Sequence, residues 1–593
     1  MKALQIIFLV TCAASLYSTQ ATSKQSVNEG SFEEKINAGY DLLKHIPNEE
    51  GTVKFLKQLH NMEKELKKRL VQSPQELPSE IMDYIGTNGS NIESLDYTIE
   101  DINHSNKVES ALFQGDIILT KRQIEELMED IKQDGSNRRK RQAFRDNTYP
   151  NTLWTNNQVY YSFSPDIFEN ATRAFKKAAH VWSSATCIDF IESDTANDRI
   201  LLIQGTGCYS ALGRTGGVQP LSLGPRCERV GTAVHEIGHA LGFFHTQSRH
   251  DRDSFITLYP DNFQDGWLSQ FSEINEDVNY NYELTYDYGS VMHYGALSVS
   301  KNGEPTMVPH DVKHIQTMGS TILSFYEILM MNIHYGCLDK CNASISTPLC
   351  ENGGFPHPRD CFKCICPSGY SGNLCNERPS GCGKILKATS SFQVLEDTVG
   401  GKAARDQIHD LFMCNYWIEA PAGSTIEVVI EKYKIVLDYS GCPFEGVEVK
   451  TGSDVRHTGY RFCSTKNNMT LVSTRNIVPV ITYASEYRKL KTVLHYRIAS
   501  TGSNVSQTTP EPTFVTTSRP TSRLTTPLTS PKAETPTTRE TSEPSVASTR
   551  HPTPNTSTIT ENYGDHGQAV KDTNEGLKHR AFDIDVYLLE DQR

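Results

Sequence analysis

Cysteine is missing from residues 22–141 and from everything after Cys463, although the chain of 593 residues holds 15 of them. Long apolar runs are missing as well. Past the first 21 residues no stretch approaches the roughly 20 apolar residues that a membrane-crossing helix needs, so no span is expected. Positive charge is short, with 58 Lys and Arg against 71 Asp and Glu and a net charge of −13. That balance disfavours nucleic acid as a partner. Only 37% of the residues are apolar, in a chain too long for a single hydrophobic core, so several domains are expected.

What is present begins at the leader. Lys2 precedes an apolar run from Ile6 to Leu16, and Thr19 and Ala21 stand where a cleavage site would. Residues 1–21 therefore read as a secretory signal peptide, and the product as secreted and extracellular. In that oxidising compartment the cysteines left after Cys12, all between Cys187 and Cys463, are expected to form structural disulfides. Residues 22–141 read as a propeptide. Leu42, Leu43, Ile46, Phe55, Leu56 and Leu59 fall at loosely helical spacing. The segment ends in Arg138-Arg139-Lys140-Arg141, a substrate for a furin-like processing protease that cuts after Arg141 and leaves Gln142 first. Glycosylation sequons stand at Asn88, Asn103, Asn170, Asn342, Asn468, Asn504 and Asn555.

An amphipathic helix is expected from Phe168 to Ala185, burying Ala171, Phe175, Ala178, Ala179 and Trp182. Strands at Cys187–Ile191 and Arg199–Gln204 and a hairpin within Cys208–Cys227 lead to a second helix from Thr232 to Phe244. That helix carries the chemistry. His235 and His239 are four residues apart, so both imidazoles return to one face and can reach one metal. Glu236 then faces the open side. Gly242 can take a positive φ and reverse the chain, which brings His245 in as a third ligand. Three neutral ligands leave Zn²⁺ one position for water, whose pKa falls from 15.7 to about 7. Glu236 is the expected general base, returning the proton to the departing amine. Five specified residues at this spacing arise by chance on the order of 10⁻⁴ times per chain, which disfavours reading them as ordinary core histidines.

His235 to His245 has the metzincin zinc-binding pattern, and Ser290-Val291-Met292-His293-Tyr294 resembles the Met-turn. With Arg249-His250-Asp251-Arg252-Asp253 and Tyr294 two residues after the Met, the stretch from Asn147 to Cys337 resembles the astacin family. The resemblance implies an α+β catalytic domain over residues 142–337 and zinc-dependent endopeptidase activity. It makes Tyr294 a catalytic residue, a further zinc ligand that swings to stabilise the oxyanion, with Met292 packed beneath the metal. It also implies disulfides Cys187–Cys337 and Cys208–Cys227 and an edge strand that pairs with extended substrate. Phe113-Gln114-Gly115-Asp116 resembles the family's propeptide motif, in which Asp116 takes the open zinc position of the latent form. Two departures stand out. Thr246 replaces the Glu that usually contacts the mature N-terminus. Met318-Gly319-Ser320-Thr321 replaces a Gly-Gln-Arg run, so the basic residue linked with acidic substrates is not evident.

Beyond Cys337 the six cysteines of residues 338–376 resemble an EGF-like module, which implies Cys341–Cys361, Cys350–Cys364 and Cys366–Cys375. A zinc knuckle from Cys361, Cys364 and Cys366 is the competing reading. Residues 382–499 alternate like the strands of an all-β sandwich and resemble a CUB domain with Cys382–Cys414 and Cys442–Cys463. Glu445 could hold Ca²⁺ there, but Val436 replaces the usual upstream Glu, which leaves calcium binding open. The Ser/Thr/Pro-rich residues 500–561 cannot bury a core and read as a disordered, mucin-like stalk before a tail at 562–593. The module order looks like nematode members of the family. Such modules are expected to bring extracellular or matrix protein substrates to the protease. Because the catalytic residues all precede Cys337, a form ending there is expected to cleave short peptides unaided. The alternative is a non-catalytic binding protein, which would be expected to have lost Glu236 or a ligand; neither is missing.

Overall fold

Ser31 accepts from the Glu34 N–H while Glu34 reaches back to the Ser31 N–H, a capping box that starts helix α1 (Phe32–Leu42). Helix α2 (Glu49–Val71) follows, then α3 (Ile99–Asn106), which ends where Lys107 turns to φ 60°. A short strand β1 (Ile117–Ile118) and helix α4 (Lys121–Lys132) complete this segment. The computed structural model describes residues 31–500 apart from 44–48, 72–75, 79–80, 82–97, 133–142, 145–150, 275–278, 343–347, 402–410, 435–439, 464–468 and 486–487. The leader, the Arg141–Gln142 junction, the Ser/Thr/Pro segment and the tail lie outside the described residues. So do Asn88, Asn468, Asn504, Asn555 and the side chain of Asn342.

The downstream domain is built on one sheet. Strand β2 (Ala143–Phe144) lies apart from it, paired with Asn279–Tyr280. The sheet contains β3 (Gln158–Phe163) and, after helix α5 (Glu169–Ala185), β4 (Asp189–Glu192), β5 (Arg199–Ile203), β6 (Cys208–Ala211) and β7 (Val218–Leu223). Its order is β1-β6-β7-β5-β3-β4. Strands β3, β4, β5 and β7 are parallel, while β6 returns antiparallel to β7 as the hairpin pattern implied. Helix α5 buries Ala171, Phe175, Ala178, Ala179 and Trp182, and the Trp182 indole donates to the Val234 carbonyl of helix α6 (Val230–Ala240). Helix α6 stops at Ala240, short of the expected Phe244, because Gly242 sits at φ 111° and turns the chain. Helix α7 (Phe325–His334) closes the domain, opened by a second capping box from Ser324 and Glu327.

The N-terminal segment that carries α1 to α4 shares a core with this domain. Tyr40, Phe55, Phe113, Ile117 and Leu119 pack in one cluster with Phe144, Tyr209, Leu212 and Phe244. Two further sheets face each other C-terminally. One runs, in spatial order, Ile385–Lys387, Leu411–Glu419, Ile477–Ser485, Glu445–Val449 and Tyr460–Phe462. The other runs Gln393–Gly400, Lys489–Ile498, Ile426–Lys434 and Met469–Val472. Disulfides join Cys187–Cys337, Cys208–Cys227, Cys341–Cys361, Cys350–Cys364, Cys366–Cys375, Cys382–Cys414 and Cys442–Cys463. With Cys361, Cys364 and Cys366 all oxidised, the zinc-knuckle alternative is gone. Among the described residues no helix is long and apolar enough to cross a membrane.

The expectation for one sequon is corrected as well. Asn103 does not present itself as a glycan acceptor: it is fully buried in α3, and its Nδ2 donates to the carbonyls of Gly115 (2.9 Å) and Cys208 (2.7 Å). Its Oδ1 accepts from the Cys208 N–H at 2.8 Å. Asn170, by contrast, is exposed in the first turn of α5.

Candidate metal centre

Helix α6 sets His235 and His239 one turn apart, with ring centroids 4.7 Å from each other. Between them Gly238 leaves the helix face bare. A Cβ there would meet the Met292 sulfur at 2.8 Å, so the thioether packs directly against the helix at this point. The Gly242 turn then lets the Phe243 N–H donate to the Gly238 carbonyl at 3.0 Å, and His245 arrives with its ring 4.8 Å from that of His239. Each imidazole is oriented through Nδ1. His235 donates to the Val291 carbonyl and His239 to the Phe243 carbonyl, both at 2.7 Å, while His245 bonds Gln114 Oε1 at 3.0 Å. All three Nε2 atoms are thereby left facing inward, the second-sphere arrangement typical of metal-binding histidines.

Asp116 enters the space they enclose. Its carboxylate lies 3.3 Å from His235 Nε2, 3.5 Å from His239 Nε2 and 3.2 Å from His245 Nε2, and the Nε2 atoms of His245 and His235 are 3.2 Å apart. Such separations are the edges of a tetrahedron whose centre-to-ligand bonds are about 2.0–2.1 Å, the spacing zinc requires. The donor set fits in another respect. His239 Nε2, Asp116 Oδ1 and both Glu236 oxygens are buried without a hydrogen-bond partner, which a folded protein tolerates only where something else satisfies them. Among the described residues this is the one group of three or more metal-binding side chains that converges. Glu445 is buried in its strand, and Val436 lies outside the described residues.

Burial depresses His239 and takes His245 down to about 4, favouring the neutral imidazole that a metal ligand must be. At His235 burial is outweighed by the Asp116 carboxylate, which raises the imidazole. Burial would raise Asp116, but the surrounding imidazoles outweigh it and hold that carboxyl well below its ordinary value. Glu236 has no such compensation. Burial, with the Asp116 charge added, pushes it well up.

The segment from Phe113 to Ile118 fills the cleft beside the cluster. Gly115, at φ 88°, lies so close to Trp267 that a Cβ would meet the ring at 2.7 Å. Gln114 donates from its backbone to Gln270 and from its side chain to Ser248, and its carbonyl accepts from the Tyr294 hydroxyl at 2.5 Å. Strand β1 pairs in parallel with β6, Ile117 opposite Ser210 and Ile118 opposite Ala211, and so occupies the sheet edge. Phe113 packs edge-on against Phe244.

Thr246 has no carboxylate to offer an N-terminus, and a different buried carboxylate lies two hydrogen bonds away. Thr246 and Ser290 share a hydroxyl hydrogen bond at 2.7 Å, and Ser290 donates to Glu327 of α7 at 2.5 Å. Glu327 also accepts from the Val291 and Met292 N–H groups, each at 3.1 Å, and so anchors the turn beneath the histidines. The Phe144 N–H donates to the Gly242 carbonyl at 2.9 Å, tying the start of the downstream domain to the turn that aims His245. Sequence reasoning missed Gln114, Asn103 and Glu327 in these roles. Only Gln114 had a local signal, its place inside the Phe-Gln-Gly-Asp motif.

Comparison with known proteins bears on the same residues. The family model for astacin, a peptidase family, matches residues 146–336. The zinc metalloproteinase nas-31 of Caenorhabditis elegans is 39% identical over 530 residues, 85% of this chain and 85% of that protein. The zinc metalloproteinase nas-32 of the same organism is 37% identical over 394 residues, covering 65% of this chain and 58% of that one. Among solved structures, high choriolytic enzyme 1, a hatching-enzyme zinc protease from Oryzias latipes, shares 31% identity, covers 33% of this chain and 94% of its own, and has a TM-score of 0.29.

Proposed function

The chain belongs to the astacin family of zinc metalloproteinases, and from that membership we propose that it is a secreted endopeptidase, made as a latent precursor, that hydrolyses extracellular proteins with Glu236 as general base. The observation that carries this reading is the meeting of Asp116 with His235, His239 and His245 beside a Glu236 carboxylate that has no hydrogen-bond partner. The three histidines would hold zinc, and Asp116 would occupy the remaining position in the precursor. Bound there, zinc supplies Lewis-acid chemistry, activating water and polarising a peptide carbonyl.

The chain's own groups do the rest. Glu236 takes a proton from the attacking water onto its carboxylate and delivers it to the departing amine nitrogen. Tyr294, released from Gln114, donates its hydroxyl to the oxyanion that develops on the carbonyl oxygen. Strand β6, released from β1, offers its backbone to extended substrate, so that ladder bonds give affinity and side-chain pockets give selectivity. Cleavage after Arg141 by a furin-like protease starts the mature enzyme at Gln142. Until then covalent linkage holds the inhibitory segment at high effective concentration. Residues 338–376 and 382–499, read as EGF-like and CUB modules, would recruit matrix proteins, with glycans on Asn170 and the sequons outside the described residues.

The test is Glu236→Gln in the processed enzyme. Peptide hydrolysis should fall by about 10²–10⁴-fold while metal analysis still finds stoichiometric zinc, because no ligand has been removed. Substantial residual turnover would take Glu236 out of its role.

A further inference from the structure

Beside His235 the cleft opens into a small cavity of about 50 Å³, walled by Thr232, Tyr294, Gly295, Gly319 and Ser320 and, from α3, by Glu100. The wall formed by Gly295, Gly319 and Ser320 is backed by the C-terminal β-sandwich. A Cβ on Gly295 would meet the Ser440 Cβ at 2.7 Å, and one on Gly441 (φ 76°) would meet the Gly319 carbonyl oxygen at 1.8 Å. Backbone thus lies on backbone, with no side chain between to absorb a shift.

Directional contacts fix the same wall. Arg461 donates from Nη1 to Ser320 Oγ at 2.6 Å and from Nε to Glu448 at 3.0 Å. Its backbone N–H donates to Thr317 Oγ1 at 3.1 Å, and the Cys463 N–H donates to Gln316 Oε1 at 2.7 Å. Arg461 and Glu448 are both buried, so the fork is shielded from competing water and its geometry is fixed. Residues 316–320, which carry part of the cavity wall, are therefore held from outside the catalytic domain.

We propose that the β-sandwich is a structural part of the substrate pocket, with Arg461, Ser440 and Gly441 acting as positioning residues that set the shape of the space taken by the substrate side chain next to the scissile bond. Among the described residues no Lys or Arg lines the cavity, and the Arg461 guanidinium behind it is paired with Glu448, so the wall offers no cation to an acidic side chain. The inference rests on the peptidase reading above.

The experiment uses the processed full chain and a set of short peptides that differ only at the residue following the cleaved bond. Such peptides carry no second binding site for the sandwich surface, so any effect on them acts through the pocket. Arg461→Lys keeps the charge but loses the fork, and Ser440→Leu presses on Gly295 from a half-buried position that adds no buried charge. Each should change the ratio of kcat/KM for the Ala peptide against the Leu peptide by about tenfold or more, with zinc content and thermal midpoint near those of the parent. If Arg461→Lys does not fold, Ser440→Leu decides alone. An unchanged ratio in folded variants overturns the proposal, as does a loss confined to large protein substrates, which would make the sandwich only a remote binding surface. Failure of the parent to cleave any peptide would instead sink the peptidase reading itself.

Discussion

The Tyr294 hydroxyl donates to the backbone carbonyl of Gln114 at 2.5 Å, across 180 residues of sequence. Gln114 thus occupies the one polar atom of the side chain to which we assign oxyanion stabilisation. In the processed enzyme Tyr294→Phe should lower kcat by about 10²–10³-fold with little change in KM, the pattern of a donor used only in the transition state. Steady-state kinetics on one peptide, with zinc content measured alongside, checks it. A loss carried by KM alone would assign Tyr294 to substrate binding.

Asp116→Ala should leave the uncleaved precursor largely inactive. Phe113, Ile117 and Leu119 are buried in the shared core, each worth about 1.5–3 kcal/mol, and β1 still covers the edge of β6. Removing one carboxylate does not dislodge that contact. Full activity should appear only after cleavage at Arg141, which peptide assays before and after processing would read. A fully active uncleaved variant would show that the Asp116 contact alone maintains latency.

Asn103 should be unmodified in the secreted protein, because its amide already bonds Gly115 and Cys208. Peptide mapping by mass spectrometry decides this directly. Asn103→Ala strips partners from buried backbone groups, costing about 1–3 kcal/mol for each one left unsatisfied, and should loosen the prosegment enough to speed its proteolytic removal.

Docking of α3 should weaken as pH rises. Burial first, then the Asp101 charge, raises Glu100 from 4.5 to about 7, against the hydroxyl donated by Ser298. A carboxyl raised in the folded state contributes stability that is whole below about 4.5 and lost as pH passes about 7, here at most about 3 kcal/mol. The precursor's thermal midpoint should fall across that window, and Glu100→Gln should flatten the fall. Parallel curves for the two proteins would count against Glu100 as the responsible group.

Helix α5, helix α6 and the Gly242 turn were legible in the sequence because each rests on neighbours a few residues apart: apolar period, the four-residue step from His235 to His239, and a glycine where the chain must take φ 111°. The Phe-Gln-Gly-Asp segment was legible as a motif, though not the work of Gln114 within it. The end of α6 was misplaced by four residues' worth of apolar pattern, since Phe243 and Phe244 are core residues of the turn and not of the helix.

By itself the sequence determined the donor set, since local helix geometry brings His235, His239 and Glu236 together whatever the rest of the chain does. It also determined the number and type of covalent staples through its cysteines. Only tertiary structure decided what stands against that site. Asp116 meets His245 across 129 residues, Glu327 reaches the Met292 turn across 35, and Arg461 reaches Ser320 across 141. The sequon at Asn103 reads as a surface acceptor until α3 packs against Cys208 and buries it. Sequence spacing up to Cys337 suggests a self-sufficient catalytic domain, while the contacts of Ser440, Gly441 and Arg461 place part of its pocket wall in the sandwich. The physical reason is the same in each case: burial and long-range hydrogen bonding depend on which surfaces meet, and no local pattern encodes the surface on the other side.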